Sequence, residues 1–393
     1  MTTDSKTKVL VFMGAYLPGF KGGGPVTSIK NLVDRLSSEI EFRVVAPDRD
    51  LFSETAYPDV PIREWTQLGK EKVLYLPPSL LNVIDVWAAL HLTPHDVVYL
   101  NSFFSPRYTI PVLALRRLGL IPKKAVVLAV RGEFAPAALD LKSRKKQIYL
   151  KLAQKTGLLK NVLFHATNTS EEQRIHDILG PAVRTHLAPP LTRSPTALNR
   201  KPEVKTDRLQ VVFLGRIAPM KNLDYALKVL AEVKTPVHFT IYGPTEDAKY
   251  WSECQQLISK LPEHISVNYA GSIAPDKVQQ TLSQFDLFFL PTRGENFGHV
   301  IAEALAAGCP VLISDQTPWN DLESNGCGWA LPLTNQIEFS GMIDSIARMT
   351  TINREETIAK CLEYAAQKNN SGKNKNLSID LFINNNILML DHH

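Results

Sequence analysis

Leu287-Phe-Phe-Leu-Pro-Thr-Arg-Gly-Glu-Asn-Phe-Gly-His-Val-Ile-Ala-Glu-Ala-Leu-Ala-Ala-Gly308 changes its period once. Leu287–Leu290 is an unbroken apolar run, as expected of a strand covered on both faces. A polar loop with Gly294 and Gly298 follows, and then an Ala-rich helical pattern that stops at Gly308. Strand, glycine-containing loop and helix together form the half-unit of a doubly wound α/β sheet. Ligands of such sheets bind beyond the carboxyl ends of the strands. The loop Pro291–Gly298 is therefore the first place to look for binding residues.

The same alternation extends in both directions. In the second half it predicts strands at Gln210–Leu214, Val237–Tyr242, Ile265–Tyr269 and Pro310–Ile313, with helices at Leu223–Val233, Val278–Gln284 and His299–Ala307. In the first half it predicts strands at Val9–Met13, Phe42–Ala46, Val97–Leu100, Ala125–Val130 and Val162–Ala166, with a helix at Val26–Leu36. Between the halves, Ala188–Leu209 is rich in proline and poor in apolar periodicity, which reads as a linker. The expected organisation is two α/β doubly wound domains, 1–190 and 209–340, joined by a linker at 191–208. A helical segment, 341–393, closes the chain and is open to returning to the first domain.

Hydrophobic residues make up 44% of the 393 and charged residues 21%, which excludes disordered, collagen-like and disulfide-scaffold chains. Cys254, Cys309, Cys327 and Cys361 form no Cys-x-x-Cys pair, so a structural zinc site is not expected and a reducing compartment is. No apolar run approaches the roughly 20 residues of a spanning helix, and Met1–Leu10 does not read as a secretory leader. The expected location is cytoplasmic, with peripheral membrane contact left open. Charge is uneven: residues 1–190 carry 25 Lys and Arg against 17 Asp and Glu, whereas residues 191–393 carry 19 against 22. The basic half is expected to meet anions. Its segment Leu141–Lys160 has seven bases and no acid, with Leu141, Ile148, Leu152 and Leu159 at helical spacing. Such a helix either lies on an anionic bilayer or packs its apolar stripe into its own domain.

Within the opening stretch, Glu295 lies in the loop, and the amides near Asn296, Phe297 and Gly298 open the helix. Unpaired donors and the macrodipole there attract phosphate. Glu303 lies among Val300, Ile301, Ala304 and Leu305 and needs a partner, which the hydroxyls of a ribose can supply. An ordinary loop Glu295 and a solvated Glu303 are the plainer alternative. In Val211–Asn222, Gly215 ends a strand and Arg216 and Lys221 follow it. Two such cations can pin a diphosphate, the Arg as a fork and the Lys as a point charge, or can be two surface bases. Gly22-Gly23-Gly24-Pro25 lets a backbone approach a ligand or makes a tight turn; it has neither the dinucleotide glycine spacing nor a P-loop Lys-Ser/Thr. Arg131-Gly132-Glu133 follows another strand, facing ligand or forming a structural ion pair. His165, His238 and His264 sit in or beside apolar strands and read as core. No metal-ligand cluster or serine elbow occurs in the sequence.

Gly215-Arg216 with Lys221-Asn222, and Glu295 and Glu303 separated by seven residues, resemble the retaining GT-B glycosyltransferases of family four, the group 1 glycosyltransferases of cell-envelope polysaccharide assembly. The resemblance is specific over about 209–333 and looser elsewhere, with Val97–Pro106 and Gly22–Pro25 similar to the family's first domain. It implies a GT-B fold, two Rossmann-like domains with a cleft between them. It implies that Arg216 and Lys221 hold the donor diphosphate, that Glu295 contacts the donor sugar, and that Glu303 binds the ribose. Gly23, Gly24, Gly215, Asn296, Phe297 and Gly298 would complete the donor contacts. No metal or other cofactor is then required, because the two cations replace it. Many members carry a His where this chain has Arg131-Gly132-Glu133. These are the acceptor-side candidates, and the choice between front-face attack and a covalent intermediate stays open.

The expected function is transfer of a sugar from a UDP- or GDP-sugar to a lipid-linked or growing saccharide, in polysaccharide, lipopolysaccharide or capsule assembly. The expected partners are the nucleotide-sugar donor, that acceptor and an anionic membrane surface, with no nucleic acid. A nucleotide-sugar epimerase on the same fold is the alternative in another reaction class, and a two-lobed binding protein the non-enzyme alternative. A dehydrogenase is disfavoured because no strand is followed by a dinucleotide fingerprint.

Overall fold

The computed structural model describes residues 6–79, 82–135, 138–139, 143–193, 207–369 and 372–384. The chain forms two compact units, Met1–Leu191 with Gly372–His393, and Thr192–Ser371.

The first unit is built on β1 (Thr7–Phe12), β2 (Ile40–Pro47), β3 (Trp65–Leu68), β4 (Glu71–Leu76), β5 (Val97–Asn101), β6 (Ala125–Ala129), β7 (Val162–Ala166) and β8 (Arg184–Leu187). Their order is β3-β4-β2-β1-β5-β6-β7-β8, parallel except where β3 runs antiparallel to β4. The strand period of two divides the core. Val9 and Val11 of β1 pack on one face of the sheet, Leu10 and Phe12 on the other. Helix α1 (Gly24–Leu36) covers the first face. Helices α2 (Asn82–Leu92), α3 (Thr109–Arg117), α4 (Ser143–Lys155) and α5 (Thr169–Leu179) cover the second.

The second unit has a six-stranded parallel sheet of β9 (Leu209–Leu214), β10 (Val237–Tyr242), β11 (Ile265–Gly271), β12 (Leu287–Leu290), β13 (Val311–Ser314) and β14 (Gly328–Leu331). Between and after the strands run α6 (Leu223–Ala231), α7 (Ala248–Ile258), α8 (Val278–Leu282), α9 (His299–Ala306), α10 (Gln336–Ala347) and α11 (Thr351–Asn369). The order β11-β10-β9-β12-β13-β14 places the reversal of winding at the β9–β12 pair. That is the point where loops after adjacent strands diverge and leave a crevice.

The predicted strands and helices fall within two residues of the observed ends, except the basic helix expected over Leu141–Lys160, which ends at Lys155. Four strands escape the apolar-run criterion. β3 and β8 are short edge strands with polar residues, β4 follows β3 across the Gly69-Lys70 turn, and β14 opens on Gly328. The segment 341–393 is divided: α10 and α11 belong to the second unit, whereas α12 (Gly372–Ile383) belongs to the first. Residues 385–393, and 194–206 of the expected linker, lie outside the described residues. In α12, Leu381 and Phe382 are buried in the first core, and the Phe382 ring meets Tyr99 and Phe42 edge-on at 5.1 and 6.0 Å. Lys375 pairs with Glu39 at 2.8 Å, and Leu377 O lies 2.8 Å from His186 Nε2.

Removing a fully buried aromatic ring costs about 3–5 kcal/mol. Phe382→Ala is therefore expected to shift denaturant unfolding of the first unit by that amount, read by circular dichroism. A loss below ~1 kcal/mol would mean that α12 is not part of this core.

Candidate functional site

The loops after β9 and β12 are fastened to each other before any ligand is considered. Asn222, buried and at φ 62°, ends the 3₁₀ turn Pro219–Lys221 and begins α6. Asn is among the few residues that take this left-handed conformation at low cost. Its Nδ2 donates to Pro291 O at 2.9 Å, and its Oδ1 accepts from Arg293 Nε at 3.0 Å. Met220 O accepts from Arg293 N at 2.9 Å and from Thr292 Oγ1 at 3.0 Å. The loop after β10 is drawn into the same cluster. Gly215 N donates to Tyr242 O and Ile217 N to Pro244 O, and a Cβ on Gly243 would stand 1.8 Å from Gly215 O. Only glycine permits that approach.

This fastening brings together residues that lie far apart in sequence. Lys221 Nζ pairs with Glu295 Oε1, both side chains less than one-fifth exposed. Arg216 donates to both oxygens of Glu246, on the loop after β10, at 3.1 and 3.2 Å. Arg216 is 49% exposed, and an ion pair of that kind is worth about 0–1 kcal/mol, so an incoming anion displaces Glu246 at little cost. Arg216, Lys221 and Glu295 thus stand at the winding reversal beside Gly215. Glu246 has no motif to mark it in the sequence; the only available signal is its place on the loop after the strand next to β9.

The loop after β12 ends at Gly298, at φ 80°, which caps α9 and has no room for a Cβ beside Ile301 Cδ1, 2.8 Å away. Phe297 stacks near Trp319 and His299, and its carbonyl accepts from Trp319 Nε1. Asn296 and Phe297 therefore lie directly before the first turn of α9, where the amides of Ile301 and Ala302 donate to Gly298 O at 2.9 and 3.3 Å. Glu303 lies one turn further, and its carbonyl accepts from Ala307 N at 3.0 Å. Burial pushes its carboxyl up to about 7, opposed by the positive charge of Arg193. Arg193 is held by a bond from its guanidinium to Pro275 O, at 3.1 Å.

The first-unit candidates are placed by its own sheet. Gly23 caps α1 at φ 60° and Gly24 is the first helical residue, after the loop that follows β1. No heavy atom lies within 4 Å of where a Gly23 Cβ would be, so the backbone there is open. Gly22 is tight instead, with Ala15 and Val26 side chains at 2.7 Å. Arg131 and Glu133 do not pair with each other, which answers the ion-pair alternative. Arg131, at φ 52°, donates to Asn101 Oδ1 and to the Tyr99 hydroxyl at 2.9 Å. Glu133 turns the other way: it accepts from Ser102 Oγ at 2.6 Å and from the amides of Phe103 and Phe104 at 2.6 and 3.2 Å. These bonds hold the loop after β5, so both Glu133 oxygens are already engaged. Burial raises the Glu133 pKa against the pull of those donors.

Tyr99 continues to buried His165, whose Nδ1 is 2.7 Å from the Tyr99 hydroxyl and whose Nε2 is 2.8 Å from Ala188 O. A carbonyl only accepts, so Nε2 carries the proton and Nδ1 accepts from Tyr99. Burial pushes this imidazole down to about 3, which keeps it neutral. His165 is therefore a core residue, as its strand position suggests. Gly132 N donates to Glu171 Oε1, whose second oxygen accepts from Thr167, and the sequence offered no sign of this buried carboxylate. Among the described residues no cluster of three or more His, Cys, Asp or Glu could hold a metal ion, and no helix is long and apolar enough to cross a membrane. All four cysteines are buried, and none is in a disulfide.

Residues 196–368 match the family model of the group 1 glycosyl transferases. Over 381 residues the chain is 22% identical to an uncharacterized 41.2 kDa protein in the cps region of Klebsiella pneumoniae, covering 88% of this chain and 92% of that one. It is 27% identical over 164 residues to the phosphatidylinositol N-acetylglucosaminyltransferase GPI3 subunit of Saccharomyces cerevisiae, which covers 37% of this chain and 33% of the yeast protein. Among solved structures, Anabaena HepE in complex with UDP and glucose superposes with a TM-score of 0.70 at 17% identity, over 95% of this chain and 99% of HepE. WaaG, a glycosyltransferase of lipopolysaccharide biosynthesis, superposes at 0.67 with 14% identity, over 95% and 99% of the two chains. These two likenesses establish the GT-B fold.

Proposed function

We propose, for a glycosyltransferase whose residues 196–368 belong to the group 1 glycosyl transferases, that it moves a sugar from a UDP- or GDP-sugar to a lipid-linked or growing saccharide, with retention and without a metal. The observation that carries this reading is the meeting of Arg216, Lys221 and Glu295 at the β9–β12 reversal. The two cations there are already paired with carboxylates, and a diphosphate can take the place of either carboxylate. The HepE structures with UDP and with UDP-glucose support a nucleotide-sugar donor. The cps-region relative and WaaG support an envelope polysaccharide as product.

In the transfer the acceptor oxygen bonds to the anomeric carbon, and the bond from that carbon to the diphosphate breaks. Its electron pair goes to the departing phosphate oxygen, and the proton released by the acceptor hydroxyl leaves with the nucleoside diphosphate. Arg216 and Lys221 bind that charge as it develops, the term that contributes most in reactions of this kind. Once the phosphate engages Lys221, Glu295 is released to accept from the donor sugar's hydroxyls. The amides from Asn296 to Gly298 complete the donor contacts, and Glu303 accepts from the ribose. Gly23 and Gly24 offer open backbone, and Arg131 keeps the acceptor-side role, whereas Glu133 serves it by holding the loop after β5.

Lys221→Ala and Arg216→Ala are each expected to weaken nucleoside diphosphate binding by about 2–4 kcal/mol with the fold intact. Calorimetry giving unchanged affinity in both would remove the diphosphate from this site. Transfer is expected to survive exhaustive EDTA; a loss that Mg²⁺ or Mn²⁺ restores would overturn the metal-free reading.

The Glu303 carboxyl rises from an ordinary 4.5 to about 7, so the folded protein binds the extra proton. The ligand-free protein therefore loses stability as pH rises through that window, and Glu303→Gln does not. Only the carboxylate accepts from both ribose hydroxyls, so wild-type nucleotide affinity should climb between pH 6 and about 8, beyond the change seen in Glu303→Gln. Parallel pH profiles for the two proteins would exclude Glu303 from the ribose.

A further inference from the structure

One layer of the first unit leaves large apolar side chains in the open. Helix α2 buries Val86, Ala89 and Leu90 but exposes Val83, Ile84 and Trp87. Leu118 and Leu120, just beyond α3, are exposed as well. On α4 the phase is the reverse of a helix that hides its apolar stripe. Tyr149, Leu150 and Ala153 turn to the core, while Ile148 and Leu152, one turn apart, are 67% and 53% exposed. Leu159 packs against the core, and Leu141 lies outside the described residues.

These helices cover the same face of the sheet, so their outer sides are continuous. Trp87 Nε1 donates to Leu120 O at 3.0 Å. Arg117 donates to Thr156 O at 2.8 Å and Arg116 to Lys160 O at 2.6 Å, joining the ends of α3 and α4. Residues 107–160 carry thirteen Lys and Arg against two Asp and Glu. Of the two acids, Glu133 is spent on the loop after β5 and Asp140 lies outside the described residues. Lys123, Lys124, Lys145, Lys151 and Lys155 are exposed. Lys146 is not available in the same way, since it donates to Ala138 O and lies over the Phe104 ring.

Exposed Ile, Leu and Trp on a monomer's surface mark a contact site, and a surrounding field of Lys and Arg selects an anionic one. We propose that the outer side of α2, α3 and α4 docks on an anionic lipid bilayer. Trp87, Ile148 and Leu152 enter the boundary between headgroups and acyl chains, and Lys145, Lys151 and Lys155 meet lipid phosphates. The proposal rests on the reading of a lipid-linked acceptor.

The full chain is mixed with phosphatidylcholine vesicles and with vesicles containing phosphatidylglycerol, at low and high salt. It should sediment with the anionic vesicles alone at low salt, and Trp emission should shift to the blue unless Trp87 is changed to Phe. Lys145→Glu, Lys151→Glu and Lys155→Glu together should lower partition on the order of a hundredfold. Ile148→Ser with Leu152→Ser should abolish whatever binding survives high salt. UDP binding, measured by calorimetry on the same proteins, should not change; it decides the transferase reading, while the vesicles alone decide the surface. Equal partition on neutral vesicles, or no partition on either, overturns the proposal. So does a dimer that Ile148→Ser with Leu152→Ser dissociates, because the face would then be a contact between copies of this chain.

Discussion

The amide of Asn222 holds two loops that the sheet would otherwise let diverge. At a reversal of winding, the chain leaves neighbouring strands toward opposite faces, and the resulting crevice has no backbone ladder to set its width. One buried side chain does so here, with its nitrogen on Pro291 O and its oxygen on Arg293. The left-handed backbone at Asn222 also turns Lys221 out of the 3₁₀ turn and back toward Glu295. Positions 221 and 295 come from different strand-to-helix connections, and their meeting depends on this fastening. In the proposed transfer Lys221 meets a departing phosphate, and a group in that role needs a support of this kind.

The fold was readable because buried parallel strands are apolar runs, and such runs stand out even in a single sequence. The site was readable in part for the same reason. Arg216, Lys221, Glu295 and Glu303 each follow a run that reads as a strand, which places them at carboxyl ends without knowledge of the topology. Partners were another matter. Nothing in Pro244-Thr-Glu246 announces a counter-charge for Arg216, because that contact depends on β10 lying beside β9. Arg131 and Glu133 look like a pair two residues apart, yet a left-handed residue at 131 sends the two side chains to different strands. In the basic helix, spacing identified a stripe but not its orientation: Tyr149 with Ala153 made the inward face, while Ile148 and Leu152 face outward.

The first unit has its own buried polar line, from Arg131 through Tyr99 and His165 to Ala188 O. Arg131 only donates at one end and Ala188 O only accepts at the other, so only one arrangement of protons is available and the imidazole stays neutral. The line ties the carboxyl ends of β5, β6 and β7 to the segment after β8. Phe382 of α12 packs against the Tyr99 ring in the same place. The loops over these strand ends, with Arg131 among them, are therefore held from beneath by a network against which α12, the last helix among the described residues, packs.

That last helix reaches the first unit only after the whole second unit has been made. On a ribosome the nascent chain completes residues 1–191 early but lacks Leu381 and Phe382, which close its core. At about 5–20 residues per second, residues 192–371 occupy roughly ten to forty seconds of translation, during which β1, β2 and β5 have one face incompletely covered. The second unit, uninterrupted in sequence, is free to mature first. Topologically it is an insertion within the other unit, so the usual order, in which the N-terminal part folds before the C-terminal part, is reversed for the final packing step.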